Sequence, residues 1–286
     1  MLKDFIYKNA IRHCPSLFFK LSHYRLHKNF GTHAYWANLQ NPKTFNEKLL
    51  ASKLSMEHEH LGHLVDKELV KDYVKDKIGS EVIIPTIAVF QTAVEFNLDA
   101  LRFPCILKPT HSSSRVLKIK NKDQFTEEKI RETIRPWFTV NHYDTSGEPQ
   151  YKHLKPKVIA EELIGDLDSS LYDYKIFSFN GEPAFIQVDI DRGIDHTRAF
   201  YDVNWIKQNF TIKYPMYKGE VPKPELLDKM VHYACILSRG QKFARIDFYN
   251  VNSKIYFGEI TFHHESGYGP FTTYEDDLNL GKFYKV

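Results

Sequence analysis

Apolar residues recur along the chain with two different periods, which predict helices in some segments and strands in others. A helix is predicted over residues 60–77, where apolar side chains lie three and four positions apart and Gly79 follows. A shorter helix over residues 44–53 begins with Thr-Phe-Asn-Glu, which resembles a capping box. Residues 127–138 and 224–238 have the same helical pattern.

Short runs of β-branched and aromatic residues, bounded by turn residues, predict strands elsewhere in the chain. The predicted strands cover residues 82–90, 105–108, 158–163, 174–179, 184–189, 198–201, 243–250 and 254–262. Asn180-Gly181 is typical of a hairpin turn, and residues 251–253 connect the last two strands. We therefore expect an α+β fold, with largely antiparallel sheets and helices on one face.

The last predicted hairpin carries two acidic residues whose relation depends on the turn. Arg245 and Asp247 share a face of the first strand, because side chains alternate with period two. A three-residue turn over 252–254 would place Asp247 opposite Glu259, with Cβ atoms roughly 5 Å apart. Like charges at that distance repel unless a cation such as Mg²⁺ joins them. A two-residue turn would instead send the two acids to opposite faces, as ordinary surface residues.

Two lysines have surroundings that suit a phosphate. Lys108 ends a predicted strand and is followed by Pro-Thr-His-Ser-Ser-Ser-Arg, where backbone N–H groups and hydroxyls can donate to phosphate oxygens. Lys175 shares a strand face with Asp173. The alternatives are a solvated strand-end lysine at Lys108 and a surface ion pair between Lys175 and Asp173, which would contribute little.

Composition and charge exclude several classes of protein. The 286 residues are 42% hydrophobic, which is enough for a sizeable core, and 39 basic side chains balance 36 acidic ones. This balance argues against a nucleic-acid partner, and no apolar stretch is long enough to cross a bilayer. The three cysteines have neither disulfide nor metal-ligand spacing, so we expect a reducing cytoplasm.

The first 30 residues are basic, with six Lys or Arg against one acidic residue, and aromatic and aliphatic residues are interleaved among the charges. They contain no uninterrupted apolar segment of the kind found in signal peptides. Two interpretations stay open for this predicted helical region. It packs on the main body with a solvated basic face, or it lies on an anionic membrane surface.

Eight short motifs occur in an order that resembles the ATP-grasp superfamily. Within it, the chain resembles the TupA-like branch, which is linked to teichuronopeptide and other bacterial surface-polymer synthesis. The motifs lie at residues 41–48, 65–67, 103–108, 159–164, 173–181, 187–189, 245–252 and 256–262. They include Phe-Pro-Cys-Ile-Leu-Lys in the third and Arg-Ile-Asp-Phe-Tyr-Asn in the seventh.

The resemblance implies a specific α+β architecture, the ATP-grasp fold. Two α+β lobes would hold ATP between antiparallel sheets, and a helical extension would precede them. On this basis we divide the chain into a helical N-terminal region (1–60), a region preceding the ATP-grasp lobes (61–104), a small lobe (105–164) and a C-terminal lobe with the metal site (165–286).

The resemblance also implies a nucleotide site, for ATP as the cofactor. Its residues would be Lys67, Lys108, Ser112, Ser114, Glu161, Glu162, Leu163, Ile164, Asp173 and Lys175. Lys67 and Lys108 would hold phosphates, and Lys175 would face them. The segment 161–164 would bind adenine through its backbone, and Asp173 would bind the ribose.

By the same resemblance, Asp247 and Glu259 would bind Mg²⁺, with the hydroxyl of Thr261 near the ion. Arg245 would stabilise the negative charge that develops on the reacting group. The implied catalytic residues are Arg245, Arg198 and Lys175.

Basic and polar residues near this end of the sequence are candidates for the acceptor substrate, because guanidinium groups bind carboxylates bidentately. These candidates are Arg192, His196, Arg198, His264, Ser266 and Tyr268. For the histidines, a structural role in hydrogen bonding is as consistent with the sequence as a catalytic one.

The resemblance implies an ADP-forming carboxylate–amine ligase. It would join an amino acid to the carboxylate of a uronic acid, in a bacterial surface polysaccharide or its precursor, through an acyl phosphate. Its place would be the cytoplasm, with possible contact to membrane-bound polysaccharide machinery. Two alternatives are a glycosyltransferase of the same pathway, and a non-catalytic glycan-binding module. The absence of glycine from residues 111–114 favours the latter.

Overall fold

The computed structural model describes residues 2–113, 115–165, 172–191 and 195–285, with the side chains of residues 2–5 left out. Within these ranges the chain forms two antiparallel sheets with helices around them, which confirms the α+β class. The first sheet has four strands in the order β1-β4-β2-β3. They are β1 (Thr86–Phe90), β2 (Cys105–Pro109), β3 (Leu117–Ile119) and β4 (Val158–Glu162).

The second sheet has five strands in the order β7-β6-β5-β8-β9. They are β5 (Asp173–Phe179), β6 (Glu182–Ile190), β7 (Thr197–Asp202), β8 (Phe243–Val251) and β9 (Lys254–Thr261). The predicted turn between β5 and β6 is present, and both Asn180 and Gly181 have positive φ.

Nine α-helices lie in the described ranges. They are α1 (Leu2–His13), α2 (Pro15–Asn29), α3 (Phe45–Leu54), α4 (Gly62–Val65), α5 (Val70–Ile78), α6 (Glu127–Ile134), α7 (Tyr143–Ser146), α8 (Leu227–Leu237) and α9 (Tyr274–Phe283). The capping box predicted for α3 is present, with Thr44 Oγ1 accepting from Glu47 N–H and the Glu47 carboxylate accepting from Thr44 N–H.

The two faces of the second sheet differ in character. Buried apolar residues such as Ile176, Ile186 and Ile246 cover one face, where they form a core cluster with residues of α5 and α8. Charged side chains occupy much of the other face, at the positions between these isoleucines. This side-chain alternation gives the sheet one face for packing and one for chemistry.

The N-terminal helices pack on the body of the protein. Phe19, His23 and His27 lie four residues apart on α2 and are buried. Leu17 and Leu21, also four residues apart, are 52% and 41% exposed on another face of the same helix. The structure therefore has the packed helix of the first interpretation and an exposed apolar face as well.

The helix predicted over residues 60–77 is wrong in its continuity. Asp66 has an extended backbone, and its carboxylate accepts hydrogen bonds from the N–H groups of Glu68 and Leu69. These contacts compete with helical hydrogen bonds, so the helix stops at Val65 and starts again at Val70. The apolar period continues across the break, which is why the pattern does not reveal it.

Three other predicted elements are shorter than expected, each near a proline. The helix predicted over 224–238 forms only over Leu227–Leu237, after Pro224. The strand predicted over 82–90 begins only at Thr86, after Pro85, and residues 80–82 form a 3₁₀ turn. The helix predicted over 127–138 ends at Ile134 and continues as a 3₁₀ helix that contains Pro136. Proline has no N–H to donate to a ladder or to a preceding helical turn.

The closing hairpin has the two-residue turn of one alternative and the pairing of Asp247 with Glu259 that was expected of the other. Val251 pairs with Lys254, so the turn has two residues, Asn252 and Ser253, both with positive φ. A bulge then shifts the register, because Phe248 pairs with Phe257 whereas Asp247 pairs with Glu259. The extra residue Gly258 restores the pairing that a two-residue turn alone would lose.

Two observations bear on the wider organisation of the chain. The predicted boundary at 164/165 falls between the two sheets. The predicted boundary at 104/105 instead divides the first sheet, because it separates β1 from β2, β3 and β4 of the same sheet. All the predicted boundaries stay predictions. In the described ranges, no helix is long and apolar enough to span a membrane.

Candidate active site

The charged face of the second sheet brings together residues from four neighbouring strands. Lys175 of β5 pairs with Gln187 of β6 on one side and with Asp247 of β8 on the other, and Asp247 pairs with Glu259 of β9. Side chains in such a cross-strand row are direct neighbours. The register therefore aligns an amide, an ammonium and two carboxylates.

Asp247 is the centre of this row. Its two carboxylate oxygens each lie 2.7 Å from a nitrogen of Arg245, and Oδ2 also lies 2.5 Å from Lys175 Nζ. Asp247 and Arg245 are 2% and 7% exposed, so both charges are shielded from water. Buried charges of this kind persist because they are paired and hydrogen-bonded.

Lys175 is also bound by a second carboxylate. Its ammonium lies 2.6 Å from Asp173 Oδ2, two residues earlier on the same strand face. Burial disfavours the ammonium, but Asp173 and Asp247 outweigh that effect and raise the pKa of Lys175. The ion pair considered for Lys175 and Asp173 therefore exists, but it is buried and shared with Asp247.

Glu259 differs from Asp247 in its exposure. Its side chain is 37% exposed, and Oε1 accepts from Arg245 Nη2 at 2.8 Å and from the Thr261 hydroxyl at 3.2 Å. Desolvation would raise the pKa of Glu259, but Arg245, Lys67 and Lys175 together lower it to about 2. Glu259 is thus an ionised carboxylate that solvent or a ligand can reach.

The first sheet contributes a buried carboxylate that holds two cations, Lys108 of β2 and Lys71 of α5. Glu161 of β4 lies 2.5 Å from Lys108 Nζ and 2.5 Å from Lys71 Nζ, one at each oxygen. Burial would raise the pKa of Glu161, but the two lysines outweigh it and lower that pKa. The side chain of Glu161 therefore orients two lysines, a role in addition to the backbone role expected of it.

Lys67 reaches this region because of the break between α4 and α5. Its backbone N–H donates to Thr110 O, and its ammonium donates to the carbonyl oxygen of Ser112 at 2.7 Å. Burial lowers the pKa of Lys67, and the positive charge of Lys108 lowers it further, whereas the negative charge of Glu259 partly offsets the decrease. Lys67 is thus near enough both to Lys108 of the first sheet and to Glu259 of the second sheet for their charges to act on it.

The loop after β2 is anchored by a histidine. His111 is buried, and its ring nitrogens lie 3.1 Å from Trp137 O and 3.3 Å from Lys157 N. Ser112 follows, 2% exposed, with a hydroxyl that has no hydrogen-bond partner in the described part of the chain. Ser114 lies outside the described residues.

The predicted adenine-binding segment follows Glu161 at the end of β4. The N–H groups of Glu162 and Leu163 donate to the carbonyl oxygens of Pro85 and Pro104. A base at this position would therefore use carbonyl oxygens or the N–H of Ile164. Glu162 is exposed, and Leu163 and Ile164 are half-buried.

The predicted acceptor residues His196 and Arg198 converge on one carboxylate. Arg198 Nε lies 2.7 Å from Asp189 Oδ1, and His196 Nε2 lies 3.2 Å from the same oxygen. Arg198 also donates to Ile212 O at 2.8 Å and to Glu265 at 3.2 Å. The guanidinium is 3% exposed and largely saturated, an arrangement that suits positioning more than direct binding of a substrate.

The remaining predicted acceptor residues separate into two groups. His264 is buried, and its Nδ1 lies 2.9 Å from Arg245 Nη1, which joins it to the carboxylate row. Burial lowers the pKa of His264 well below its ordinary value, and Arg245 adds to the effect. Ser266 and Tyr268 face the other way, towards Lys53 of α3. Arg192 lies outside the described residues.

Two residues of this region are absent from the expected set. Lys71 could have been found from its position four residues after Lys67, although the two are not on one continuous helix. Gln187 lies two residues before Asp189, on the same strand face, and is fully buried with its carbonyl oxygen unpartnered in the described ranges. Strand periodicity is the signal that identifies Gln187.

Within the described ranges, no group of three or more His, Cys, Asp or Glu residues is arranged to hold a metal ion. The acidic residues nearest to such an arrangement are Asp247 and Glu259. Mg²⁺ commonly takes only one or two protein carboxylates and completes its shell with water and phosphate. The donor set is therefore of the kind that a shared protein–phosphate site requires.

Solved structures similar to this chain include several ligases. D-alanine–D-alanine ligase from Bacillus anthracis, complexed with ATP, has a TM-score of 0.43 and 16% identity, with 70% of this chain and 53% of that chain covered. The VanG D-Ala:D-Ser ligase from Enterococcus faecalis has a TM-score of 0.41 and 14% identity, with 70% and 52% covered. The ATP-grasp ligase PsnB, complexed with a variant of its minimal precursor, Mg and ADP, has a TM-score of 0.38 and 12% identity, with 69% and 50% covered.

This chain matches about half the length of these ligases. A comparison with curated proteins found no match. A sequence model of the family described as TupA-like ATPgrasp matches residues 47–285, which is most of the chain. The protein therefore belongs to the TupA-like ATP-grasp family.

Proposed function

We propose that this protein is an ATP-dependent ligase that joins a substrate carboxylate to an amine and releases ADP and phosphate. The observation that carries the proposal is the row of Lys175, Asp247 and Glu259, with Arg245 bonded to both acids. ATP-grasp ligases use ATP and Mg²⁺, and this row contains carboxylates for a metal and cations for phosphates. Membership of the TupA-like ATP-grasp family supports the same reaction class.

The first sheet and the segment from Lys67 to Lys71 provide residues that fit a triphosphate. Lys71 and Lys108 are paired with Glu161, and Lys67, bonded to Ser112 O, lies near it, so three cations outnumber this acid. The unpartnered hydroxyl of Ser112 is a hydrogen-bond donor available to a phosphate oxygen. We assign the phosphates to Lys67 and Lys108, with Ser112 beside them, the ribose to Asp173 and the base to segment 161–164.

The residues of the second sheet fit Mg²⁺ under one condition. Glu259 is accessible, but both oxygens of Asp247 are bonded to Arg245 and Lys175. Asp247 becomes a metal ligand if Lys175 turns to a phosphate, which would exchange one charge partner for another. When bound, the ion would neutralise phosphate charge and orient the terminal phosphate, with Thr261 as a neighbouring hydroxyl.

The chain's own residues then account for two steps. A carboxylate oxygen of the acceptor attacks the terminal phosphate of ATP, ADP leaves and an acyl phosphate forms. The amine nitrogen attacks the acyl carbon, phosphate leaves with that carboxylate oxygen and the nitrogen loses a proton. Arg245 stabilises the negative oxygen of the tetrahedral species, and His264 holds the guanidinium in place.

We further propose that the amine is an amino acid and that the carboxylate belongs to a uronic acid of a bacterial surface polysaccharide or its precursor. D-alanine–D-alanine ligase, whose structure is similar to this chain, is named for an amino acid, and PsnB was solved with a variant of its minimal precursor. The glycan part of the proposal rests on the sequence resemblance. Within it, Arg198 and His196 orient the site through Asp189, and His264 acts through Arg245.

A peripheral position at the inner face of the membrane is part of this proposal. The exposed face of α2 carries Leu17, Leu21, Arg25 and Lys28 at helical spacing. Apolar and basic residues on one helix face suit the surface of an anionic bilayer. Such contact would bring the enzyme close to membrane-bound polysaccharide assembly.

The reaction is tested by following the oxygen atoms of the carboxylate. With oxygen-18 in the carboxyl group of glucuronate and a mixture of amino acids, one labelled oxygen per amide should appear in inorganic phosphate, with ADP as the nucleotide product. Hydroxylamine in place of the amine should yield a hydroxamate. The Glu259→Gln variant, which keeps the shape of the side chain, is the matched control and should release no labelled phosphate.

Other outcomes identify other functions. AMP with pyrophosphate would indicate an adenylating enzyme. Transfer from a sugar nucleotide with intact ATP would indicate a glycosyltransferase, and glycan binding without ATP turnover would indicate a non-catalytic module.

A further inference from the structure

A cleft of about 770 Å³ lies between the N-terminal helices and the body, apart from the residues assigned to ATP. Its walls come from α1, from the start of α2, from the end of α3 and from the segment around α7. Phe19 is buried at its base, and the half-buried Tyr143 contributes aromatic surface. The cleft is large enough for one or two sugar rings.

Cations from three separate parts of the chain line this cleft. Lys8 and Arg12 come from α1, Lys53 from α3 and Lys152 from the segment after α7. Among the described residues that line the cleft, Asp144 is the acidic one. Two cations share its carboxylate, Lys8 at 2.7 Å and Arg12 at 3.6 Å. Lys152 is paired with Glu59 at 2.8 Å, so the excess of positive charge in the cleft comes from Lys8, Arg12 and Lys53.

Lys53 is the least compensated of these cations. It is 1% exposed, and no carboxylate in the described ranges lies within ion-pair distance of its ammonium. Its contacts are Ser266 O at 3.0 Å, Ser266 Oγ at 3.2 Å and Tyr268 OH at 3.4 Å. Burial lowers the pKa of Lys53 to about 7, although Glu148 opposes the shift. Glu148 lies beyond Ser266, whose hydroxyl donates to it at 2.9 Å, so it does not contact the ammonium directly. A ligand anion would supply the direct charge partner that Lys53 lacks.

The same loop connects the cleft to the candidate active site. His264 and Ser266 belong to one short 3₁₀ segment, His264–Gly267, in which Glu265 and Ser266 have positive φ. His264 contacts Arg245, and Ser266 contacts Lys53. An extended ligand along this loop would reach from Lys53 towards Arg245.

We propose that this cleft binds a second anionic group of the acceptor, a carboxylate or a phosphate attached to a sugar, while the reacting carboxylate lies near Arg245. This inference rests on the proposed ligase function for its connection to the acceptor. Lys53 and Arg12 provide the main charges, and the half-buried ring of Tyr143 packs against the sugar. The cleft makes the enzyme selective for an acceptor with more than one negative charge.

The test is isothermal titration of the whole protein with tetragalacturonate, glucose 1-phosphate and neutral maltotetraose, each with and without ATP. Lys53→Met should weaken binding of the anionic probe about tenfold, because a buried charge-assisted hydrogen bond is lost. The more exposed Arg12→Gln should weaken it about threefold. Asp144→Asn should tighten binding, since it frees Lys8 and Arg12 from their present partner. Lys122→Gln, which removes an exposed lysine far along the chain, is the matched control and should change nothing.

Each result decides something. Stronger binding of tetragalacturonate identifies a uronate and stronger binding of the sugar phosphate identifies a phosphate carrier, whereas equal binding of maltotetraose would overturn the proposal. Unchanged affinity in both Arg12→Gln and Lys53→Met would also overturn it, and Arg12→Gln decides alone if Lys53→Met does not fold. If the wild-type protein binds the anion but not ATP, the result would contradict the proposed ligase function and leave the cleft assignment unaffected.

Discussion

At the scale of single residues, two paired carboxylates on neighbouring strands have different environments. Asp247 is almost fully buried between Arg245 and Lys175, whereas the side chain of Glu259 is 37% exposed. Asp247 therefore belongs to the structure of the sheet as well as to the candidate site. Removing the charge of Asp247 leaves the buried cations Arg245 and Lys175 with fewer partners. Removing the charge of Glu259 costs less, because water can take the place of its carboxylate beside Arg245.

We predict that Asp247→Asn lowers the free energy of unfolding by about 3 kcal/mol, whereas Glu259→Gln changes it by less than about 1 kcal/mol. Both variants should lose ligase activity. Urea denaturation followed by circular dichroism measures the difference. Equal stabilities would contradict the buried role of Asp247, and full activity in Glu259→Gln would contradict its assignment to the metal.

At the scale of elements, one inserted residue decides which face of β9 carries Glu259. The two-residue turn and the bulge at Gly258 act together to place Glu259 beside Asp247. A Cβ at Gly258 would lie 3.2 Å from Asp247 O and 3.3 Å from Asp247 Cβ. Neither of these atoms is the end of a flexible side chain, so the strand has to move to accept it.

We predict that Gly258→Val destabilises the protein by about 2 kcal/mol and lowers activity at least tenfold, because the displaced bulge moves Glu259. Thermal denaturation with and without Mg²⁺ measures the destabilisation and the Mg²⁺-dependent shift in Tm, which should shrink. Phosphate release measures the activity. Lys254→Val, on the exposed end of the same strand, is the control and should keep the shift. A normal Mg²⁺ response in Gly258→Val would show that the bulge is not needed for the site.

At the scale of the whole molecule, the N-terminal helices have two surfaces with different uses. The buried residues Phe19, His23 and His27 hold α2 on the body, and the face with Leu17 and Leu21 is open. The basic residues of this region lie among those exposed apolar side chains. This surface lies on α2, whereas the candidate active site is built mainly from the strands of the two sheets, so the two can be altered independently.

We predict that the protein sediments with vesicles of one-third phosphatidylglycerol in phosphatidylcholine. This binding should weaken several-fold between 50 and 300 mM salt, because the Debye length falls from about 14 Å to about 6 Å. Leu17→Ser combined with Leu21→Ser should abolish most of the binding. Val94→Ser, which removes an exposed apolar residue from another surface, is the control. Equal sedimentation of the double variant, or none for the wild type, would contradict the peripheral position.

Much of the architecture could be predicted from the sequence, because it depends on local chemistry. The strands of the second sheet follow from period-two alternation, and α3 from the capping box at Thr44. Alternation also predicts that Arg245 and Asp247 share a face, and likewise Asp173 and Lys175. These relations connect residues within one strand, where the geometry is the same in every sheet.

The tertiary structure decided how those strands meet. The sequence by itself left Glu259 on either face of its strand, because register depends on the turn and on a bulge stabilised by neighbouring strands. It did not reveal the break at Asp66, whose carboxylate also accepts from the distant Thr110 hydroxyl. Nor did it show that Glu161 holds Lys71 and Lys108, since such pairs form only when strands and helices far apart in sequence approach each other. Periodicity determines which side chains point together, and long-range packing determines which of them touch.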